Sequence, residues 1–282
     1  MSQNPKQYYL PGASLWPLIS SIALFLMAAG FSMSLNDIAS GDYVLIAGAL
    51  VLAYLLFGWF SEVIKESVSG FYNKQVDASF RWSMGWFILS EVMFFAGFFG
   101  ALFYVRNFSL DWIEAGSYFQ GFVASWPTAG PSWPLTGEAT KAIELLDPWH
   151  LPAINTLILL TSGATLTWAH WGLMKDNRKQ TIIGLALTVA LGVIFLYLQM
   201  HEYAEATFTM AGAGIYGSTF YMLTGFHGLH VTMGTIMLAI ILFRVLKGHF
   251  SSQDHFGFEA VAWYWHFVDV VWLLLFVFVY WL

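Results

Sequence analysis

The sequence predicts an all-α integral membrane protein with seven transmembrane helices, on three observations. Only 10% of the 282 residues are charged and 58% are hydrophobic, whereas an average soluble domain carries about 25% charged residues. Seven apolar stretches reach the roughly 20 residues that a helix needs to cross a hydrocarbon core of about 30 Å. Inside those stretches stand two acids, Glu91 and Asp269, and no Lys or Arg. The runs are continuous, unlike the alternating segments of about ten residues that build a membrane β-barrel. A soluble globular enzyme could not cover its surface with so few charges, and a disordered chain would not be this apolar. The formal net charge of −6 argues against a nucleic-acid partner. The lack of cysteine excludes disulfides, Cys-ligated zinc, iron–sulfur clusters and thiol catalysis.

The elements follow in order along a single membrane domain, residues 1–282. The first span, Leu15–Leu35, starts too late and runs too long for a signal peptide, and it lacks a small-residue cleavage site, so it is expected to be retained. The second is Tyr43–Phe60, with Glu62, Lys65 and Glu66 just beyond it at interface depth. The third, Trp82–Val105, carries Glu91. Residues 106–150 form a long outside segment rich in Trp, Pro and Gly, of a length that is usually functional or packed on a partner. The fourth span, Leu151–Met174, has His170 near its inner end and turns through Lys175–Lys179 into the fifth, Thr181–Met200. Glu202 and Glu205 follow, and are expected on the solvated surface. The sixth, Ile215–Phe243, holds His227 and His230 and leads to Arg244 and Lys247. The seventh, Ala260–Leu282, holds His266 and Asp269, with Tyr280 and Trp281 placed as an aromatic belt would be.

The positive-inside rule puts the N-terminus in the cytoplasm. Lys6, Lys65, Lys74, Arg81, Lys175, Arg178, Lys179, Arg244 and Lys247 then lie inside, nine against Arg106 and Lys141 outside. An odd number of spans takes the C-terminus to the periplasmic side, where Asp37, Asp42, Asp111, Glu114, Glu138, Glu144, Asp147, Glu202 and Glu205 gather.

The polar residues inside the membrane are the candidates for function. Glu91 stands ten residues past Arg81, about 15 Å into the bilayer at 1.5 Å per residue. An acid at that depth costs on the order of 3 kcal/mol on insertion scales. Without a counter-charge it is expected as the neutral acid. It reads either as a proton-exchanging group or a site facing another subunit, or as a neutral acid hydrogen-bonded within the bundle. On the same helix Ala96 with Gly100, and Gly97 with Ala101, are small residues four apart that permit close packing. His227 and His230 share a face at i,i+3. They could bind a metal or haem, but haem needs axial His on facing helices at matched depth, so hydrogen-bonded packing or lipid contact is favoured. Gly225 and Gly228 beside them fit tight packing.

In the last span Glu259, His266 and Asp269 share a broad face, and His266 with Asp269 is preferred as a structural clamp over a functional pair. Asp269 lies near the depth of Glu91, so if those helices touch, the two acids could share a proton or a water. At the inner ends Arg244 and Lys247 can snorkel and hold lipid phosphates. No Walker A motif, dinucleotide fingerprint or nucleophile triad is present. No pair of interrupted spans suggests a transporter's half-helix site. These residues define a seven-helix membrane protein with a mid-membrane acid, and no function.

The motifs resemble subunit III of the haem–copper cytochrome c oxidases, from the N-terminus to the last residue. Ser14-Leu15-Trp16-Pro17-Leu18, Trp59 through Ser67, Leu89 through Phe99, Leu166 through His170, Tyr216 through Phe220 and Gly225 through Val231 occur in family order. The most specific block is Phe256 through Glu259 followed by Trp263 through Trp272. The resemblance implies two helices and five helices set as a V, with phospholipids in the cleft. It implies no haem or copper in this chain, haem a and copper being held by partner subunits. The chain would pack on subunit I, with subunit II and a small subunit IV in the same complex and cytochrome c only an indirect partner. It would support proton uptake and turnover stability in a proton-pumping aa3-type oxidase. Glu91 matches the family's carbodiimide-reactive glutamate, and Trp59, Glu66, Phe87, His230, Arg244 and Lys247 match residues near the cleft lipids. His227, His266, Asp269 and Glu259 are left as buried structural polar groups, with no metal assigned.

Two departures stand out. Val68 through Lys74 replaces a Gly-His-Thr-like stretch, and the 106–150 segment is longer than in animal mitochondrial versions, which points to a bacterial plasma membrane. The competing readings are subunit III of a quinol oxidase, which usually lacks the two helices present here in Leu15–Phe60, and a free-standing transporter, for which the polar path is thin.

Overall fold

A computed structural model describes residues 8–109, 146–210 and 213–282. Most of the long 106–150 segment lies outside the described residues. The described residues form seven α-helices: α1 Trp16–Leu35, α2 Gly41–Val68, α3 Lys74–Tyr104, α4 Leu151–Met174, α5 Arg178–Glu205, α6 Gly214–Leu246 and α7 Phe256–Leu275. Turns of π-helix extend α3 over Val105–Ser109 and α7 over Phe276–Trp281. All seven are long and apolar enough to cross a membrane, and no strand occurs among the described residues. The expected spans fall on these helices one for one. Several helices run past their apolar stretch into charged sequence, because a helix that already satisfies its own backbone hydrogen bonds has no reason to stop at the hydrocarbon edge.

The chain divides into two compact units, Met1–Trp82 and Ser83–Leu282. In the first, α1 and α2 lie backbone to backbone. A Cβ on Gly30 would strike the Leu45 main chain, one on Gly41 the Ser34 main chain, and one on Gly48 would stand 2.7 Å from the Met27 nitrogen. Trp16 donates its indole N–H to Glu62, and Ser34 Oγ donates to Asp42 at 2.8 Å. Tyr9 and Tyr72 donate their hydroxyls to the two oxygens of Glu66, at 2.6 and 2.7 Å. The bond to Glu66, with burial second, pushes the Tyr9 phenol up to about 12.

In the second unit α7 is the packing centre. Its Trp265 donates to Ser162 Oγ and its Trp272 to Thr156 Oγ1, both at 2.9 Å, which fixes α7 against α4. The Trp265 ring is fully buried in notches left by glycines of α5 and α6. A Cβ on Gly192 would come 3.0 Å from it, and one on Gly234 2.7 Å. Between α4 and α5, Thr165 and Thr188 hydroxyls are 2.8 Å apart, and a Cβ on Gly184 would press 2.7 Å from that of Ala169.

Three sequence expectations change here. A Cβ on Gly97, Gly100, Gly225 or Gly228 would meet nothing within 4 Å among the described residues. Small residues allow a helix to approach, but an approach happens only where a facing helix arrives, and it arrives at other glycines. Tyr280 is buried against Phe220 and Trp272 instead of lying in an aromatic belt, while Trp281 is exposed. Glu202, expected on the surface, is only 1% exposed.

Gly30→Ala is expected to destabilise the chain by about 1–3 kcal/mol, because the added methyl collides with backbone that cannot rotate away. Gly97→Ala should stay within about 0.5 kcal/mol. Thermal unfolding of the two purified variants in detergent measures both.

Candidate functional site

The mid-membrane acid has a partner. Glu91 on α3 and His230 on α6 meet with Oε2 and Nε2 3.0 Å apart. His230 Nδ1 lies 2.7 Å from the Phe226 carbonyl oxygen, one helical turn back. A carbonyl can only accept, so Nδ1 carries the hydrogen and donates it. Nε2 is then left to take a proton from Glu91 or to hold one against it. The ring is thereby turned so that Nε2 and the Glu91 carboxyl share one hydrogen bond, in which either atom can be the donor.

Aromatic rings wall the pair. His230 stacks on Tyr264 of α7 with ring centroids 6.2 Å apart, and Phe95 of α3 presents its edge at 5.0 Å. Phe87 in turn stacks on Tyr264 at 6.3 Å. Beside the pair an apolar cavity of about 700 Å³ opens between α3 and α7, lined by Val92, Phe95, Ala96, Phe99, Gly100 and Val270 among others. The small residues of α3 thus line a cavity. At its far end Arg106 donates to the carbonyls of Phe278 and Leu282, at 3.2 and 2.5 Å.

The other candidates separate. His227 and His230 do not act together: His227, 1% exposed, points between Phe195 of α5 and Trp272 of α7, with ring centroids 5.9 and 5.1 Å away. A haem pair would need opposed imidazoles, and these two do not fit one. Asp269 pairs with His266, Oδ2 to Nδ1 at 3.5 Å, so the shared proton between Asp269 and Glu91 gives way to two separate His–acid contacts. Glu259, His266 and Asp269 share a face toward α4, as expected: Glu259 lies 3.9 Å from His170 and also 3.3 Å from His255, and His266 Nε2 lies 3.4 Å from Thr167 Oγ1.

Arg244 packs over Phe250 and Lys247 over Phe243, at 4.3 and 4.5 Å from the ring centroids. His249 sits just beyond, where burial first and then Arg244 and Lys247 hold its imidazole below its ordinary range. Trp59 is exposed, and Glu66 is engaged by the two tyrosines of its own unit.

One network was not foreseen. Glu202 accepts from Tyr280 at 2.6 Å and from Gln199 Nε2 at 3.1 Å, inside the apolar end of α5 and α7. The signal available was the i,i+3 spacing of Gln199 and Glu202, which puts both on one helix face. The Glu91–His230 pair was open to a comparison of depth alone, since both residues sit near the middle of their spans.

Fold and site together define a multi-pass helical membrane protein whose acids Glu91, Asp269 and Glu202 are paired inside the bundle. Comparison with known proteins makes this specific. The family described as cytochrome c oxidase subunit III matches residues 6–282. A cytochrome c oxidase subunit 3 from Prototheca wickerhamii is 46% identical over 99% of this chain and 98% of its own. Those from Sus scrofa and Dugong dugon are 43% and 42% identical over 100% of this chain and 99% of theirs. The chain belongs to the cytochrome c oxidase subunit III family.

Glu91→Gln keeps a hydrogen bond to His230 and is expected to leave assembly of the parent complex intact. His230→Ala strands a polar carboxyl and should cost about 1–3 kcal/mol. In a double-mutant cycle the two changes should couple by at least about 0.5 kcal/mol. Additive losses of stability in detergent would show that the contact contributes nothing.

Proposed function

We propose that the chain is the non-redox subunit III of a proton-pumping aa3-type cytochrome c oxidase, packed on subunit I beside subunit II and a small subunit IV. Haem a and copper belong to the partners. This chain has no cysteine, and its two mid-span histidines on α6 face different helices. Cytochrome c docks elsewhere. The observation that carries the reading is the family match over residues 6–282, together with an acid–histidine pair at mid-membrane depth.

In this reading Glu91 is the proton-exchanging group and His230 the base that receives or returns its proton, since Nδ1–H is committed to the Phe226 carbonyl. Within the pair the proton would pass between carboxyl and imidazole at constant net charge, and handing it on to subunit I would leave the pair with one negative charge until a new proton arrives. Arg244 and Lys247 would hold the phosphate of a bound phospholipid, their charged ends resting over the rings of Phe250 and Phe243. Trp59, Glu66 and Phe87 are proposed as further lipid contacts, Glu66 through the tyrosine hydroxyls it orders. The membrane is proposed as a bacterial plasma membrane with the N-terminus cytoplasmic. The nine-to-two distribution of basic residues supports the orientation, and the long 106–150 segment supports the bacterial reading.

Purification through a tag on this chain in mild detergent tests the assignment. Haem-bearing subunits should co-purify, and the haem spectrum should leave with them when this chain is stripped away. A lone chain without partners would favour a transporter, and a lone chain that keeps haem would overturn the ligand argument. Arg244→Ala combined with Lys247→Ala is expected to release lipid and shorten the active lifetime of the complex. Native mass spectrometry of lipid content and the decay of oxygen consumption during turnover report the two effects, and unchanged lipid would remove the proposed phosphate site.

A further inference from the structure

We propose that His170, His255 and Glu259 form a binding site for a divalent transition metal of the zinc class, where the end of α4 meets the start of α7 on the Lys- and Arg-rich side of the chain. Their ligand atoms all lie within 4.8 Å of one another. Glu259 Oε1 stands 3.3 Å from His255 Nε2 and 3.9 Å from His170 Nε2. Donor atoms around a tetrahedral zinc, each about 2.0–2.1 Å from the ion, are themselves about 3.3 Å apart. One edge of the site therefore already has the bound spacing, and small side-chain rotations close the rest. Two imidazoles and one carboxylate are a donor set that zinc takes with a water in the fourth position.

The surroundings orient the donors as a metal requires. His255 Nδ1 is 3.0 Å from the Ser251 carbonyl, so its N–H is donated there and the Nε2 lone pair is aimed at Glu259. Ligating histidines are held this way, by a second group on the other ring nitrogen. His170 Nε2 is buried and has no hydrogen-bond partner among the described residues. Its ring is fixed between Phe258 and His255, with centroids 5.2 and 5.4 Å away. A hydrogen-bonded clamp would account for the one-turn pair His255–Glu259, but it would leave the His170 nitrogen unsatisfied in the interior, which folded proteins avoid. A cation satisfies all three atoms. The ligands come from α4, the connection after α6 and the first turn of α7, so an ion would pin these elements together. Their junction adjoins Arg244, which a Cβ on Gly257 would approach to 2.9 Å.

The sequence alone assigned no metal, because it weighed the histidines within the spans, His170 among them, and not His255 in the connection before α7. His255 and Glu259 are four apart, but their third ligand is 85 residues earlier, as 255 − 170 shows.

The test uses the intact oxidase complex that carries this chain, stripped with a chelator and titrated with Zn²⁺ alone. Metal analysis and calorimetry compare the wild type with His170→Gln, His255→Gln and Glu259→Gln. Each variant should bind one zinc fewer per complex, or bind it at least tenfold more weakly. Equal stoichiometry and affinity in all four proteins would overturn the site. Hydrogen exchange on the wild type gives a second reading that needs no variant: Zn²⁺ should slow exchange in residues 247–259. No change there at saturating zinc would overturn the proposal even if a variant failed to assemble.

Discussion

Hydrocarbon offers no hydrogen bonds, so every polar side chain that enters the membrane must find its partner on the protein itself. This constraint organises the second unit. Glu91 takes His230, Asp269 takes His266, Glu202 takes Tyr280 and Gln199, and the indoles of Trp265 and Trp272 take hydroxyls of α4. Most of these contacts join different helices. In water such bonds add little, because the unfolded chain is solvated equally well. Here they specify which helix faces which, while apolar surface contributes area without much direction.

Glycine solves the complementary problem. Helices that share no strong apolar drive toward one another gain from close van der Waals packing, and that needs notches. The notches used are at Gly30, Gly41 and Gly48 between α1 and α2, and at Gly184, Gly192 and Gly234 around α5, α6 and the Trp265 ring. The Trp265 indole fits because glycines of α5 and α6 give way beneath it. The glycines of α3 serve a different end, and at Gly100 the helix borders an apolar cavity.

Chemistry follows from the same pairing rule. A lone carboxyl in a membrane would simply stay neutral, but a carboxyl touching an imidazole whose other nitrogen is already committed has a second place to put its proton. The Phe226 carbonyl accepts the Nδ1 hydrogen and so leaves Nε2 as the nitrogen that meets Glu91. The imidazole of His255 is fixed in the same way by Ser251. In both places a backbone carbonyl one turn back decides which nitrogen is available.

The sequence by itself determined the number of helices long and apolar enough to cross a membrane and the place of Glu91 and Asp269 along them. These are one-dimensional properties: a run of apolar residues has a length, and a residue has a distance from the end of its run. The family motifs were legible for the same reason. Which groups touch was decided only by the tertiary structure. His230, read for hydrogen-bonded packing or lipid contact, is the partner of Glu91, and Glu202, read as surface, is buried. Both outcomes depend on rotation about a helix axis. That rotation is set by ridges, notches and polar partners on other helices, which for Glu91 and His230 lie 139 residues apart in sequence. A uniformly apolar helix, such as α3 or α6, carries no amphipathic stripe to reveal it.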